Sequence, residues 1–222
     1  MQKNQVTPVN IQARDISDAW YQCMYNILEH GKIFTIDQGS YKGIKRLEFD
    51  YINIIIKYPE SRPLLPTIES HYNIPNPVSE DYLNDYTSYL MTSSKKENEQ
   101  YTYGERLETQ IEEIIKRYKN DGHRNNQLVL QVAKPEDLYL EDPPCLRHID
   151  TRIQDNKLHF FIYFRSWDLF SALPANLAAI QYMKEYMADE IGVEPGISYC
   201  SSKGLHLYEY AFDIAKCLGQ KD

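Results

Sequence analysis

The chain has 222 residues, 42% of them hydrophobic and 25% charged, enough for one sizeable core in an ordinary globular protein. A net charge of −8 opposes the clustered basic face that nucleic-acid binding draws on, although a few local arginines can still hold a small anion. No apolar run approaches the ~20 residues of a membrane span, and the N-terminus lacks a signal-peptide core, so a single cytoplasmic domain is expected.

Asp15 to Leu28 reads as a first helix, with Ile16, Trp20, Met24 and Ile27 on one face and Gly31 as its stop. Glu48 to Lys57 is rich in β-branched residues and reads as one buried strand ending at Pro59. Five prolines between Pro59 and Pro77 make the next stretch irregular. Ser79 then caps a helix running to Leu90, and 93–98 is a charged loop. Leu107, Ile111, Ile114, Ile115 and Tyr118 follow helical spacing, stopped by Asn120, Asp121 and Gly122. Leu128 to Ala133 reads as a strand. Ile149–Ile153 and Leu158–Phe164 flank a turn at 154–157, the pattern of a hairpin. Pro174 opens a long helix with Leu177, Ile180, Met183, Met187 and Ile191 inward, closing at Gly192. Tyr208 to Cys217 is a last helix, or a strand end leading into one. The class is α+β, a mixed or mostly antiparallel sheet covered by helices.

The chemistry gathers in the second half. Cys145 follows two prolines that fix its backbone, and Arg147 and Arg165 are cations within plausible reach of a thiolate. Taken alone, a cysteine is more often a buried structural residue. The four cysteines are scattered, with no CxxC and no paired histidines, so a zinc site is not expected. Arg165 and Ser166 together offer a charged fork and a hydroxyl to phosphate oxygens, though an isolated pair also fits a surface salt bridge. Asn176, near a helix start, has one amide donor and one acceptor; capping alone also favours asparagine there. His206 and Tyr208 alternate along an extended segment and so point the same way. Asp168 passes as a solvated carboxylate or a helix cap, and Trp167 reads as packing.

In order, Asp142-Pro143-Pro144-Cys145, Arg165-Ser166-Trp167-Asp168, Pro174-Ala175-Asn176 and His206-Leu207-Tyr208 resemble the motifs of thymidylate synthase, and in particular its short archaeal branch. The resemblance covers Tyr103 to Tyr210. It implies a single domain with a divergent N-terminal part (1–98) and a nucleotide-binding catalytic core (99–218), and the thymidylate synthase fold with one sheet face at a homodimer interface. It implies reductive methylation of dUMP to dTMP, with Cys145 adding to uracil C6. Arg165 and Ser166 would bind the 5′-phosphate, Asn176 the base, and His206 and Tyr208 the deoxyribose. Asp168 would meet the pterin ring, and Tyr103 the network around the C5 proton. The one-carbon donor would be 5,10-methylenetetrahydrofolate or methylene-tetrahydromethanopterin.

Several positions depart from the family pattern. Leu146 stands where His usually follows the nucleophile, Phe164 replaces Gln before Arg165, and Ala175 replaces Phe before Asn176. The arginine pair lent by a neighbouring subunit is reduced to Arg124. Glu60, Glu69 and Glu99 are the candidates for the general base, and Arg62 or Arg46 for a loop arginine. Two alternatives share the fold: a dUMP or dCMP hydroxymethylase, which Asn176 steers away from cytosine, and a non-catalytic nucleotide-binding protein.

Overall fold

A computed structural model describes residues 6–37, 41–95 and 101–219. The first half runs β1 (Pro8–Ala13), α1 (Ile16–His30), β2 (Lys32–Thr35), β3 (Lys45–Glu48), β4 (Tyr51–Ile56) and α2 (Glu80–Met91). It continues through α3 (Tyr103–Asp121), β5 (Val129–Gln131), β6 (Leu146–Gln154), β7 (Lys157–Phe164) and β8 (Trp167–Asp168). Then come α4 (Ala172–Ile191), β9 (Glu194–Ser202), β10 (Leu205–Tyr208) and α5 (Phe212–Gly219).

Two mixed sheets result. The larger has the order β1-β4-β9-β7-β6-β5, the smaller β2-β3-β10-β8. In the larger sheet β1–β4 and β7–β9 pair parallel while the other neighbours are antiparallel. Strict alternation along β4, β7 and β9 sends one set of side chains, among them Ile52, Ile54, Phe160, Ile162 and Cys200, into the core under the helices. The opposite set, including Tyr51, Phe161, Tyr163 and Tyr199, is only half-buried.

Local chemistry explains the elements. Asp15 caps α1 by accepting from the Asp18 N–H, Ser79 caps α2 and Thr102 caps α3 in the same way. The β6–β7 hairpin turns through Asp155 and Asn156, both at positive φ, as a tight primed turn requires. Pro174 lies in the first turn of α4, where its missing N–H costs nothing. Gly192 ends that helix at φ +86°.

Glu48 to Lys57 is not one strand. The chain leaves the small sheet after Glu48 and joins the large one at Tyr51. Phe49 is buried at the break, and its N–H donates to Leu205 O. Asp50 pins the same corner, accepting from the Thr7 N–H and Lys32. β1, β2, β8 and β9 had no counterpart in the sequence reading.

Candidate active site

A cleft of about 800 Å³ opens between α2, the smaller sheet and the segment before β6. Cys145, Arg165, Ser166, Asp168, Asn176, His206, Tyr208 and Tyr103 all line it. The small sheet sets part of this order, because β10 pairs with β8 through Leu205–Trp167 and His206–Asp168. Asp168 and His206 therefore stand side by side on neighbouring strands.

Cys145 lies just ahead of β6 and is partly exposed. The segment leading to it is clamped by Arg106, which pairs with Asp137 through two 2.8 Å bonds and also donates to Val132 O. Arg165 donates through Nε to Pro144 O at 3.1 Å and through Nη2 to Pro143 O, and lies 3.5 Å from Asp142. This guanidinium thus braces the two prolines and flanks the thiol. Burial pushes the Cys145 thiol above its ordinary pKa, outweighing Arg165 and Arg147, which pull it down. The resting thiol is protonated, so the two cations do not by themselves create a standing thiolate.

Tyr103 is buried at the head of α3, and its hydroxyl accepts from the Leu146 N–H at 3.3 Å. Desolvation, then the neighbouring Cys145, raises its pKa, so the phenol keeps a proton to donate into the cleft. Gly104 beside it is required by close approach: a Cβ there would run into the Thr92 backbone.

His206 is 3% exposed. Its Nδ1 lies 2.8 Å from Gly204 O, an acceptor only, so Nδ1 carries the proton. Nε2 is left as a buried acceptor with no partner among the described residues. Burial lowers its pKa to about 4, keeping the ring neutral. Tyr208, packed edge-on at 4.7 Å, confirms that the two side chains share a side, and Tyr41 stacks on its other face at 4.8 Å. Asn176 projects from the inner face of α4, and Trp167 Nε1–H donates to its Oδ1 at 2.9 Å. Asp168 faces the cleft while capping α4: it accepts from the Phe170, Ser171 and Ala172 N–H groups and the Ser171 hydroxyl. Trp167 is packed, as expected, but is also a hydrogen-bond donor.

Other candidates lie elsewhere. Arg124 is exposed on the loop after α3. The 19 residues of that helix, at ~1.5 Å each, carry the chain nearly 30 Å from the cleft end at Tyr103. Arg62 is paired with Glu185 at 2.7 Å, whereas Arg46 lines the cleft and bonds Glu48 at 2.7 Å. Glu60 and Glu69 are not among the lining residues, and Glu99 falls outside the described residues. The carboxylates that do line it are Asp85, Glu141, Asp142 and Asp168. The sequence reading also missed the α2 face of Tyr82, Asp85, Tyr86 and Tyr89. These positions are spaced i, i+3, i+4 and i+7, a signal that was present but is shared by any packed helix face.

One partly exposed thiol, a guanidinium, a carboxamide and a bare imidazole acceptor share a cleft of ligand size, the setting of a small-molecule site. The family model described as thymidylate synthase matches residues 80–221. A provisionally named thymidylate synthase of Methanosarcina mazei is 31% identical over 212 residues, covering 93% of this chain and 92% of its own. One from Methanococcoides burtonii is 31% identical with 91% of each chain covered, and one from Methanothermobacter thermautotrophicus 26% identical with 93% and 96% covered. The chain belongs to the thymidylate synthase family.

Proposed function

We propose that the protein converts dUMP to dTMP through a covalent bond between Cys145 and C6 of the uracil. The observation that carries this reading is the convergence of Cys145, Arg165, Ser166, Asn176, His206 and Tyr208 on one cleft. The 5′-phosphate sits on Arg165 and Ser166, whose fork and hydroxyl suit phosphate oxygens. The deoxyribose 3′-hydroxyl donates to His206 Nε2, which relieves that atom's missing partner. Asn176 Nδ2 donates to O4.

Bond formation from Cys145 Sγ to C6 pushes the ring's π-electron pair toward O4, where the Asn176 amino group stabilises the developing charge. Burial keeps the resting thiol protonated, so its proton leaves in this step to solvent water, which reaches the partly exposed Cys145. Once C5 carries the transferred carbon, its proton needs a base, and the Sγ–C6 bond breaks at the end of the reaction to return Cys145 as thiolate. Asp168 is spent on capping and Asp142 lies at Arg165. Asp85, on a rigid helix among tyrosines, is assigned that proton.

A reduced folate or pterin, when bound, supplies the one-carbon unit and the hydride. The cleft fits such a ring: Tyr82, Tyr86 and Tyr89 form an aromatic wall along α2, and Asp168 lines the same cleft beside His206. The uncovered face of the large sheet is assigned to a second copy of the chain, which would bring Arg124 toward the partner's phosphate site.

The test is product analysis with dUMP and either methylene-tetrahydrofolate or methylene-tetrahydromethanopterin. The expected product has the mass of dTMP; a hydroxymethyl product would instead select the hydroxymethylase reading. A fluorinated dUMP plus the donor should leave an adduct mapped to Cys145 by mass spectrometry. Cys145→Ala should bind dUMP and lose turnover, and near-normal dTMP formation by that variant would overturn the covalent scheme.

A further inference from the structure

We propose that Trp167 is a positioning residue that makes the base pocket accept a carbonyl at C4 of the pyrimidine and refuse an amino group. It does so by locking the Asn176 carboxamide in one of its two orientations. The inference rests on the reading of Asn176 as the base contact.

A carboxamide is nearly symmetric in shape but not in chemistry, since one end donates and the other accepts. An asparagine free to flip can serve a uracil face, with O4 accepting and N3–H donating, or a cytosine face with both roles reversed. The orientation therefore decides the substrate. Here Trp167 Nε1–H donates to Asn176 Oδ1 at 2.9 Å. An indole N–H is a donor only, so a flipped amide would set its NH₂ against a second donor in a buried site. Trp167 is 2% exposed and Asn176 6%, which leaves little room for water to mediate that clash.

The indole itself cannot swing away. Its rings stack on Phe164 at 4.1 Å, only 8° from parallel, and its main chain is held in the small sheet, with Trp167 N–H donating to Gly204 O at 2.9 Å. With Oδ1 held by the indole, Nδ2 has no partner among the described residues and Asn176 lines the cleft. The group presented to the ligand is thus a donor, matched to O4. The second lone pair of Oδ1 remains for N3–H. Cytosine, which offers an amino group at C4 and an acceptor at N3, meets the wrong pole at both atoms.

Trp167→Phe removes the N–H while keeping an aromatic ring against Phe164. In equilibrium binding the variant should hold dUMP several-fold more weakly and dCMP more tightly, shrinking the preference for dUMP by about tenfold, the worth of roughly one buried hydrogen bond. The same substitution in an Asn176→Asp background separates positioning from packing. A carboxylate has two equivalent oxygens and no orientation to lose, so there Trp167→Phe should leave the dCMP to dUMP ratio unchanged. A purely structural Trp167 would shift both backgrounds alike, and that result overturns the inference. So does an unchanged preference in the single variant.

If Trp167→Phe does not fold, the ¹⁵N-labelled unmodified protein provides the readout. The Trp167 indole proton should exchange slowly and keep its hydrogen-bonded shift when dUMP is added; rapid exchange overturns the inference. An unmodified protein that fails to bind dUMP at all removes the nucleotide reading and this inference with it.

Discussion

At the scale of single residues, the anchors of the site were legible because their chemistry travels with residue type and short spacing. Cys145 after two prolines, Arg165 with Ser166, and His206 with Tyr208 each mean something before any fold is known. A base for the C5 proton was not legible in that way. Asp85 is an exposed helix carboxylate that differs from others only in lying on the α2 face that lines the cleft, and the spacing that marks that face is shared by any packed helix. The three glutamates considered from sequence alone lay in the stretch where no motif fixed the register. If Asp85 takes the C5 proton, Asp85→Asn should lower kcat by roughly 10²–10⁴ while dUMP affinity and adduct formation with the fluorinated nucleotide persist. The fluorinated substrate has no C5 proton to lose, so it is blind to this residue. Equal loss of adduct and turnover would assign Asp85 to binding instead, and unchanged turnover would pass the proton to Glu141.

At the scale of elements, long periodic segments were readable and short strands were not. α1, α3 and α4 carried stops and a stripe of apolar residues, and α2 carried a cap. β2 and β8, four and two residues long, carry too little pattern to separate from loop. Glu48 to Lys57 looked continuous because β-branched content does not reveal a change of sheet.

One buried charge also escaped the pattern. Lys184, counted only as part of α4, is fully buried, donating to Gly196 O at 2.6 Å and Ser198 Oγ at 2.7 Å, with no ion pair among the described residues. Burial lowers its pKa from 10.5 to about 7. The unfolded chain then binds more protons than the native one above pH 7, so this lysine makes stability rise with pH from there toward 10.5 and fall as pH drops to 7. Cys23 and Cys200, whose thiols burial pushes upward, act in the opposite direction above pH 9. The clean window is therefore pH 7 to 8.5, with a gain of roughly 1.5 kcal/mol. Denaturant unfolding should show this slope in the unmodified protein and lose it in Lys184→Met. An equal slope in both would mean that Lys184 stays charged.

At the scale of the whole molecule, the helices α1, α3 and α4 cover one face of the large sheet and leave the other half-buried and aromatic. Phe161 stacks on Tyr199 at 4.8 Å, nearly parallel, and His148 on Tyr163 at 5.7 Å. Rings arranged this way are well placed to meet a flat counterpart, and a two-fold axis would set each such face against itself. A second copy would also give a use to Arg124, which the length of α3 keeps out of its own cleft. The molecular mass in solution should therefore be about twice the 26.2 kDa of the chain. Phe161→Asp combined with Tyr199→Asp should yield monomers that still fold, because both side chains point away from the core. These monomers should bind dUMP weakly, having lost the partner's arginine. Arg124→Ala should raise KM for dUMP in an intact dimer while leaving the mass unchanged, and that separates phosphate contact from assembly. A monomeric unmodified protein with full turnover would show that one chain completes its own phosphate site, and Arg46, already in the cleft, would then be the cation to test.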